Sequence, residues 1–211
     1  MDLASEHAHN LKVGGDDLLK NGLFWITVKT KLKIYDRPEM FRGLTLNTWP
    51  EAPERVKCNR YYRISDAESL LAEGKSEWAV IGINDGKIHR ISEVMPDDIS
   101  YSDEKACDAP YATLQDNLTD FENLGPYTVR STDIDIGNHM NNVAYVRAML
   151  SLFTCDDPAR TNVTEADISF KSPSYENEVL EVKIRRSGCS TEIRMIKENG
   201  KTAAAAMLVA G

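Results

Sequence analysis

Along "FWITVKTKLKI" (24–34), Ile26, Val28, Thr30, Leu32 and Ile34 alternate with Thr27, Lys29, Lys31 and Lys33. A period of two sends neighbouring side chains to opposite faces, so the segment predicts a half-buried strand with its lysines on the solvated side. "GLTLNTW", "RYYRIS" and the apolar "EWAVIGI" read as further strands, the last closed by "NDG"; "YDRPE" turns the chain, and the acidic or small "DAESLLAEGKS" reads as a segment between strands. Ahead of them, "MDLASEHAHNLKVGG" spaces Leu3, His7, Asn10 and Leu11 for one face, predicting a helix that ends at Gly14-Gly15.

From residue 96 to residue 126 the chain is acidic, rich in turn formers and weakly periodic, and reads as a linker. The order then restarts. "YTVRS" is a short strand, and a helix through Phe153 follows, with Val146, Met149, Leu150 and Phe153 as its core stripe. "ADISFKSPSYENEVLEVKIRRS" reads as two strands around a turn, and "STEIRMIKENGKTAAAAMLVAG" as a hairpin turning at "KENGK". Both halves thus show a helix, a strand, a Pro-containing turn, a strand and a final pair. The pattern predicts a duplicated α+β architecture: repeats over 1–95 and 127–211, a linker over 96–126, and one helix per antiparallel sheet.

Composition narrows the class. No apolar run approaches the ~20 residues of a bilayer span, and "MDLASEHAHN" has neither the basic nor the apolar region of a signal peptide. Cys58, Cys107, Cys155 and Cys189 fit no zinc spacing and read as reduced thiols of a cytoplasmic protein. The net charge of −8 disfavours nucleic acid and anionic membranes as partners.

Candidate chemistry concentrates in "STDIDIGNHMNNVAY" (131–145), where acids, amides and a histidine immediately precede a helix. A helix start presents unpaired N–H groups and positive partial charge, which suit an oxyanion. Asn141 or Asn142 can cap that helix, and Gly137 lets backbone approach a ligand. Asp135 and His139 are candidate general bases toward a water, and the Asn138 amide can orient or polarise. Hydrolysis of an activated acyl group needs this set. The same residues also read as ordinary capping and turn formers. A metal site is the third reading, but a calcium loop counted from Asp133 places Ala144 where a Glu belongs, and no H-E-x-x-H motif exists. Neither metal nor cofactor is expected.

"TDIDIGNHMNNVAY" resembles the Asp-x-Asp-x-Asn-x-His-Val-Asn-Asn-x-x-Tyr signature of the acyl-acyl carrier protein (acyl-ACP) thioesterases of plants and bacteria, and the strands of the first half follow that family's first domain in order. The resemblance implies a tandem hotdog fold, each repeat an antiparallel sheet wrapped on a central helix. It implies hydrolysis of acyl-ACP to a free fatty acid in fatty acid biosynthesis, with Asp135 and His139 catalytic; beside them the Asn138 amide is the candidate assistant, and Gly137 and Asn141 are candidate substrate contacts. The family's Asn falls on Gly137, and its later Glu and Cys fall on Pro173 and Ser174, with Glu176 and Glu178 close by. The family's first repeat opens with a strand before its helix; here Met1 falls within the helix, so that strand is expected to be absent from this sequence, leaving unpaired backbone.

The first half would be similar to the family's acyl-chain tunnel, with Trp25, Ile26 and Val28 as candidate lining; core packing is the plainer account of Trp25, Trp49 and Trp78. Lys29, Lys31 and Lys33 suit a solvated face or the docking of acyl carrier protein, the expected partner, and a homodimer is compatible with the sequence. "EHAH", with Glu6, His7 and His9, is either a metal group or an ordinary polar helix face. An acyl-CoA thioesterase of the hotdog class and a non-catalytic acyl-binding hotdog stay open as alternatives.

Overall fold

A computed structural model describes residues 2–114 and 117–211, with side chains from Glu6 onward. Met1 and the Leu3 side chain lie outside the described residues. The chain forms two compact units, Met1–Ala109 and Pro110–Gly211, and among the described residues no helix is long and apolar enough to cross a membrane.

In the first unit α1 (Asp2–Asn10) stops short of the expected glycine pair, because Lys12 turns left-handed (φ 59°) and breaks the helical path. Gly14 then passes against α1: a Cβ there would sit 2.9 Å from the His9 Cα. An unexpected second helix, α2 (Gly15–Lys20), follows and buries Leu18. The strands β1 (Leu23–Ile34), β2 (Thr45–Pro50), β3 (Cys58–Ser65) and β4 (Leu70–Gly82) form an antiparallel sheet in the order β2-β3-β4-β1, with the short β5 (Ile88–His89) also on β4.

Two sequence readings fail here for one reason. "LLAEGKS" is the first half of β4, not a segment between strands, and Lys31 is buried at 5% exposure rather than solvated. A bulge between Thr27 and Lys29 shifts the register of β1, so Lys29, Lys31 and Lys33 stand opposite Glu77, Lys75 and Glu73 of β4. This charged face is covered by part of the segment that reads as linker. Trp49 Nε1 donates to Glu104 O at 2.7 Å, Lys75 Nζ to Ala109 O at 2.7 Å, and Arg63 pairs with Glu104. Polar alternation here marks a buried, hydrogen-bonded face, which periodicity cannot tell from a wet one.

The second unit begins with β6 (Glu122–Thr128), five residues before the expected strand; Gly125 at φ 122° and a register shift between Asn123 and Gly125 hide it in the sequence. Helix α3 (Asn142–Ser151) and the single turn α4 (Pro158–Thr161) follow. The buried stripe of α3 is Ala144, Tyr145, Ala148 and Met149, continued by Phe153; Val146 and Leu150 of the expected stripe are only half-buried, because the face is rotated by about one residue. The strands β7 (Val163–Phe170), β8 (Val179–Ser187), β9 (Ser190–Lys197) and β10 (Thr202–Ala210) complete the sheet in the order β6-β8-β9-β10-β7, with the β9–β10 turn at the expected "KENGK".

The order β8-β9-β10-β7 repeats β2-β3-β4-β1, and the strand β6 beside β8 has no counterpart beside β2 among the described residues. The core of the second unit gathers Leu180, Val182, Ile184, Ile193, Met195 and Ala204, each at most 2% exposed. Ala203 to Ala206 are closed on both faces of β10. On the outer face Arg194 is fully buried, donates to Glu192 Oε2 at 2.8 Å and lies over the Phe121 ring, while the Ala112 amide donates to Asp167.

Candidate active site

The site is a short loop closed on itself. Ile134 and Met140 form an isolated antiparallel bridge, the Asp135 amide donates to His139 O at 3.1 Å, and the Asn138 amide donates to Asp135 O at 3.0 Å. Asn138 holds the left-handed conformation (φ 58°) that this tight return requires, one asparagine tolerates better than most residues. The result brings Asp135 Oδ1 to 3.9 Å from His139 Nδ1, with both side chains about a quarter exposed. His139 Nδ1 also lies 3.5 Å from Met140 O.

Gly137 sits between the two. Its amide donates to Asp135 Oδ1 at 2.8 Å, and a Cβ added there would lie 3.0 Å from both Asp135 Oδ1 and His139 Nε2. Any side chain at this position would be driven into the gap between carboxylate and imidazole. Asn141 is the cap of α3: its Oδ1 accepts from the Val143 amide at 2.8 Å. The Asn142 amide, at the first position of the helix, has no acceptor among the described residues.

Three anchors hold this loop, none of them evident from local sequence. Asp133, the first acid of the motif, accepts at Oδ2 from the Tyr127 hydroxyl (2.9 Å) and the Arg130 amide (2.8 Å), while its carbonyl accepts from the Asn141 amide (2.8 Å). Burial, and then the Asp133 carboxylate, push the Tyr127 phenol above its ordinary pKa. On the other side the Met140 amide donates to the carbonyl of Ser174, which is fully buried, at 2.7 Å. Tyr145, on the buried face of α3, donates from its hydroxyl to Ser172 O at 3.3 Å. So α3 and the site loop both brace the β7–β8 turn.

That turn carries the acids beside Pro173. Glu178 is bound to Lys197 Nζ at 3.0 Å and accepts from the Tyr175 amide. Glu176 is exposed and shares an open hollow of about 460 Å³ with Ser131, Ile134, Asn138 and Tyr175. Asp135 and His139 are not among the residues that line it.

The other candidates lie in the first unit. Trp25 and Ile26 occupy opposite faces of β1, and Val28 is the extra residue of the bulge. Trp25 packs edge-on to Trp78 (centroids 6.4 Å apart) in the cluster of Leu18, Cys58, Val80 and Ile91, and donates from Nε1 to Val13 O at 2.9 Å. His7 Nδ1 lies 2.6 Å from Arg60 Nη2. Among the described residues no three His, Cys, Asp or Glu side chains gather as metal ligands would.

Residues 1–99 match the family model described as the acyl-ACP thioesterase N-terminal domain, and residues 117–208 match that of the C-terminal domain. The chain is 21% identical over 136 residues to an oleoyl-acyl carrier protein thioesterase, chloroplastic, of Coriandrum sativum, covering 59% of this chain and 37% of that protein. It is 22% identical over 138 residues to a palmitoyl-acyl carrier protein thioesterase, chloroplastic, of Cuphea hookeriana, covering 62% and 33%. The chain therefore spans well under half the length of these two curated relatives. Among solved structures, an acyl-ACP thioesterase from Bacteroides thetaiotaomicron superposes with a TM-score of 0.79 at 18% identity, covering 99% of this chain and 85% of that one. The 12:0-ACP thioesterase from Umbellularia californica gives 0.79 at 14% identity with the same coverage. The fold is thus the tandem hotdog, α+β, that the sequence implies.

Proposed function

This chain belongs to the acyl-ACP thioesterase family, and from that premise we propose that it hydrolyses the thioester of an acyl-acyl carrier protein, releasing a free fatty acid and the carrier thiol. The observation that carries the reading is the Asp135–His139 pair, 3.9 Å apart across the bare Cα of Gly137 at the entry to α3.

The chemistry divides among a few groups. With its Nδ1 proton directed toward Met140 O and Asp135, His139 presents the Nε2 lone pair as base. Water in the gap that Gly137 keeps open loses a proton to Nε2 as its oxygen bonds to the thioester carbonyl carbon. The carbonyl oxygen becomes an oxyanion beside the Asn142 amide at the start of α3, where the helix dipole favours negative charge. Collapse breaks the carbon–sulfur bond, and the proton on Nε2 passes to the departing thiolate. Asp135 stabilises the imidazolium in between. Gly137 replaces a side-chain amide with open space, and Asn138 contributes its left-handed backbone, which closes the loop that holds the pair. No metal or cofactor enters any of these steps.

Acyl carrier protein is the partner, and the four free thiols suit the cytoplasm. The test is release of free thiol from a panel of acyl-ACP substrates, with matching acyl-CoA compounds alongside. Full activity of Asp135→Ala would sink the assignment. Faster turnover of acyl-CoA would move the substrate, and tight lipid binding without turnover would make the protein a non-catalytic binder. Sedimentation of the same preparation would show whether it is a homodimer.

A further inference from the structure

Two hydroxyls behind the site loop take no part in the steps above. Ser174, in the β7–β8 turn, is fully buried, and its Oγ has no hydrogen bond of normal geometry among the described residues. Tyr145 stands on the first turn of α3 at 2% exposure, its ring 6.0 Å from that of Phe170 in β7. The two side chains are neighbours. Burial raises the Tyr145 phenol above its ordinary pKa, while the hydroxyl and the amide of Ser174 beside it act the other way. The phenol itself donates to Ser172 O at 3.3 Å, long for a bond between two oxygens.

A buried hydroxyl without an acceptor weakens a fold, and an apolar side chain of the same size would serve packing better. Stability therefore gives no account of Ser174. Nor is it placed as a nucleophile, since none of its surface is exposed.

The turn that carries it holds both halves of the hydrolytic chemistry. The Ser174 carbonyl accepts from the Met140 amide at 2.7 Å, one residue after the base His139. The Tyr145 amide donates to Asn141 O at 3.2 Å and so closes the helical turn that presents the Asn142 amide. His139 is tied to residues 172–174 through one peptide group, and the oxyanion donor through the Tyr145 side chain. Relative displacement of base and donor by about 1 Å is enough to slow a reaction of this kind.

We propose that Ser174 and Tyr145 act as one positioning unit, which fixes the oxyanion donor at the start of α3 relative to the His139 imidazole. In that unit the Ser174 hydroxyl offers its proton to Tyr145 Oη, whose own proton goes to Ser172 O. Neither residue touches substrate. The inference rests on the thioesterase reading above.

Thiol release from acyl-ACP, normalised to the folded fraction, tests it. Tyr145→Phe should lower kcat at least tenfold with KM within twofold. Ser174→Ala, which deletes an unsatisfied hydroxyl, should lower kcat at least threefold with a thermal melt no lower than the parent's. Ser174→Cys, which restores a weak donor of similar size, should recover part of the loss. The double variant should be no slower than Tyr145→Phe alone, as expected of groups that act together. Should Tyr145→Phe fail to fold, the two Ser174 variants decide. A parent that turns over no acyl-ACP removes the thioesterase reading and this inference with it. With an active parent, this inference alone is overturned if kcat stays within twofold in the single variants, if the losses multiply in the double variant, or if they fall on KM.

Discussion

Asp135 and His139 meet across a residue with no side chain: 3.9 Å separates Oδ1 from Nδ1, and the Gly137 Cα hydrogen points into the space between carboxylate and imidazole. If His139 is the base, His139→Ala should lower kcat on acyl-ACP by ~10²–10⁴-fold, the usual worth of a positioned general base. Asp135→Asn, which keeps the shape and loses the charge, should also lower kcat while leaving KM within about threefold. Steady-state thiol release checks both.

Gly137→Asn, which installs the amide of the family signature, should not raise thiol release. Its Cβ would start 3.0 Å from both Asp135 Oδ1 and His139 Nε2, so one of them has to move. We expect kcat to fall ~10-fold or more, in line with the sensitivity of catalysis to misplacement of about 1 Å, with a thermal melt close to that of the parent. Gly137→Ala should show the same sign with a smaller effect.

Asp133 is expected to act through structure alone. Replacing it with Ala removes the acceptor for the Tyr127 hydroxyl and the Arg130 amide, at a cost of about 1–3 kcal/mol in denaturant unfolding. Tyr127→Phe loses only one of those bonds and should cost about 1 kcal/mol. Activity normalised to the folded fraction should fall less than for Asp135.

Asp157 offers a pH test far from the chemistry. It caps α4 through the Ala159 amide and takes two bonds from Arg186, at 3.2 and 2.6 Å. Those Arg186 bonds hold its pKa below the ordinary carboxylate value. A depressed folded pKa gives stability that is complete above the unfolded value and is lost as pH falls through the folded one. Asp157→Ala should therefore be destabilised by about 1–2 kcal/mol at neutral pH. The gap to the parent should close below about pH 4, where the unfolded carboxyl begins to protonate. Urea midpoints across that range read it directly.

Thiol reactivity should sort the cysteines by depth. Cys155 and Cys189 are exposed, whereas burial pushes the Cys58 thiol up to about 12. At pH 8 its thiolate fraction is then roughly one in ten thousand. Labelling should saturate Cys155 and Cys189 first and reach Cys58 only when denaturant opens the unit.

The parts legible in the sequence were those decided locally. The alternation of 24–34, the turn at "KENGK" and the placement of Asp135 and His139 in one short loop all depend on neighbours within a few residues. What stayed hidden depends on distant chain. Lys31 looks solvated until residues 104–109 lie across its sheet, and "LLAEGKS" looks irregular for the same reason. The tie from the Met140 amide to Ser174 spans a helix and a strand, and no spacing within the motif announces it. Nor does periodicity show that Arg60 and His7 converge, since they come from different elements.

The enclosed alanines of β10 limit how this protein can change. At Ala203, Ala204 and Ala205 no surface remains exposed, so growth by even one methylene meets packed neighbours, at a typical cost of about 1–3 kcal/mol. A lineage exploring new substrates would find this strand closed to drift, with variation tolerated instead at rim positions such as Ile136 and Tyr175. A deep mutational scan should show Ala203 to Ala206 as a silent run directly after the permissive β9–β10 turn.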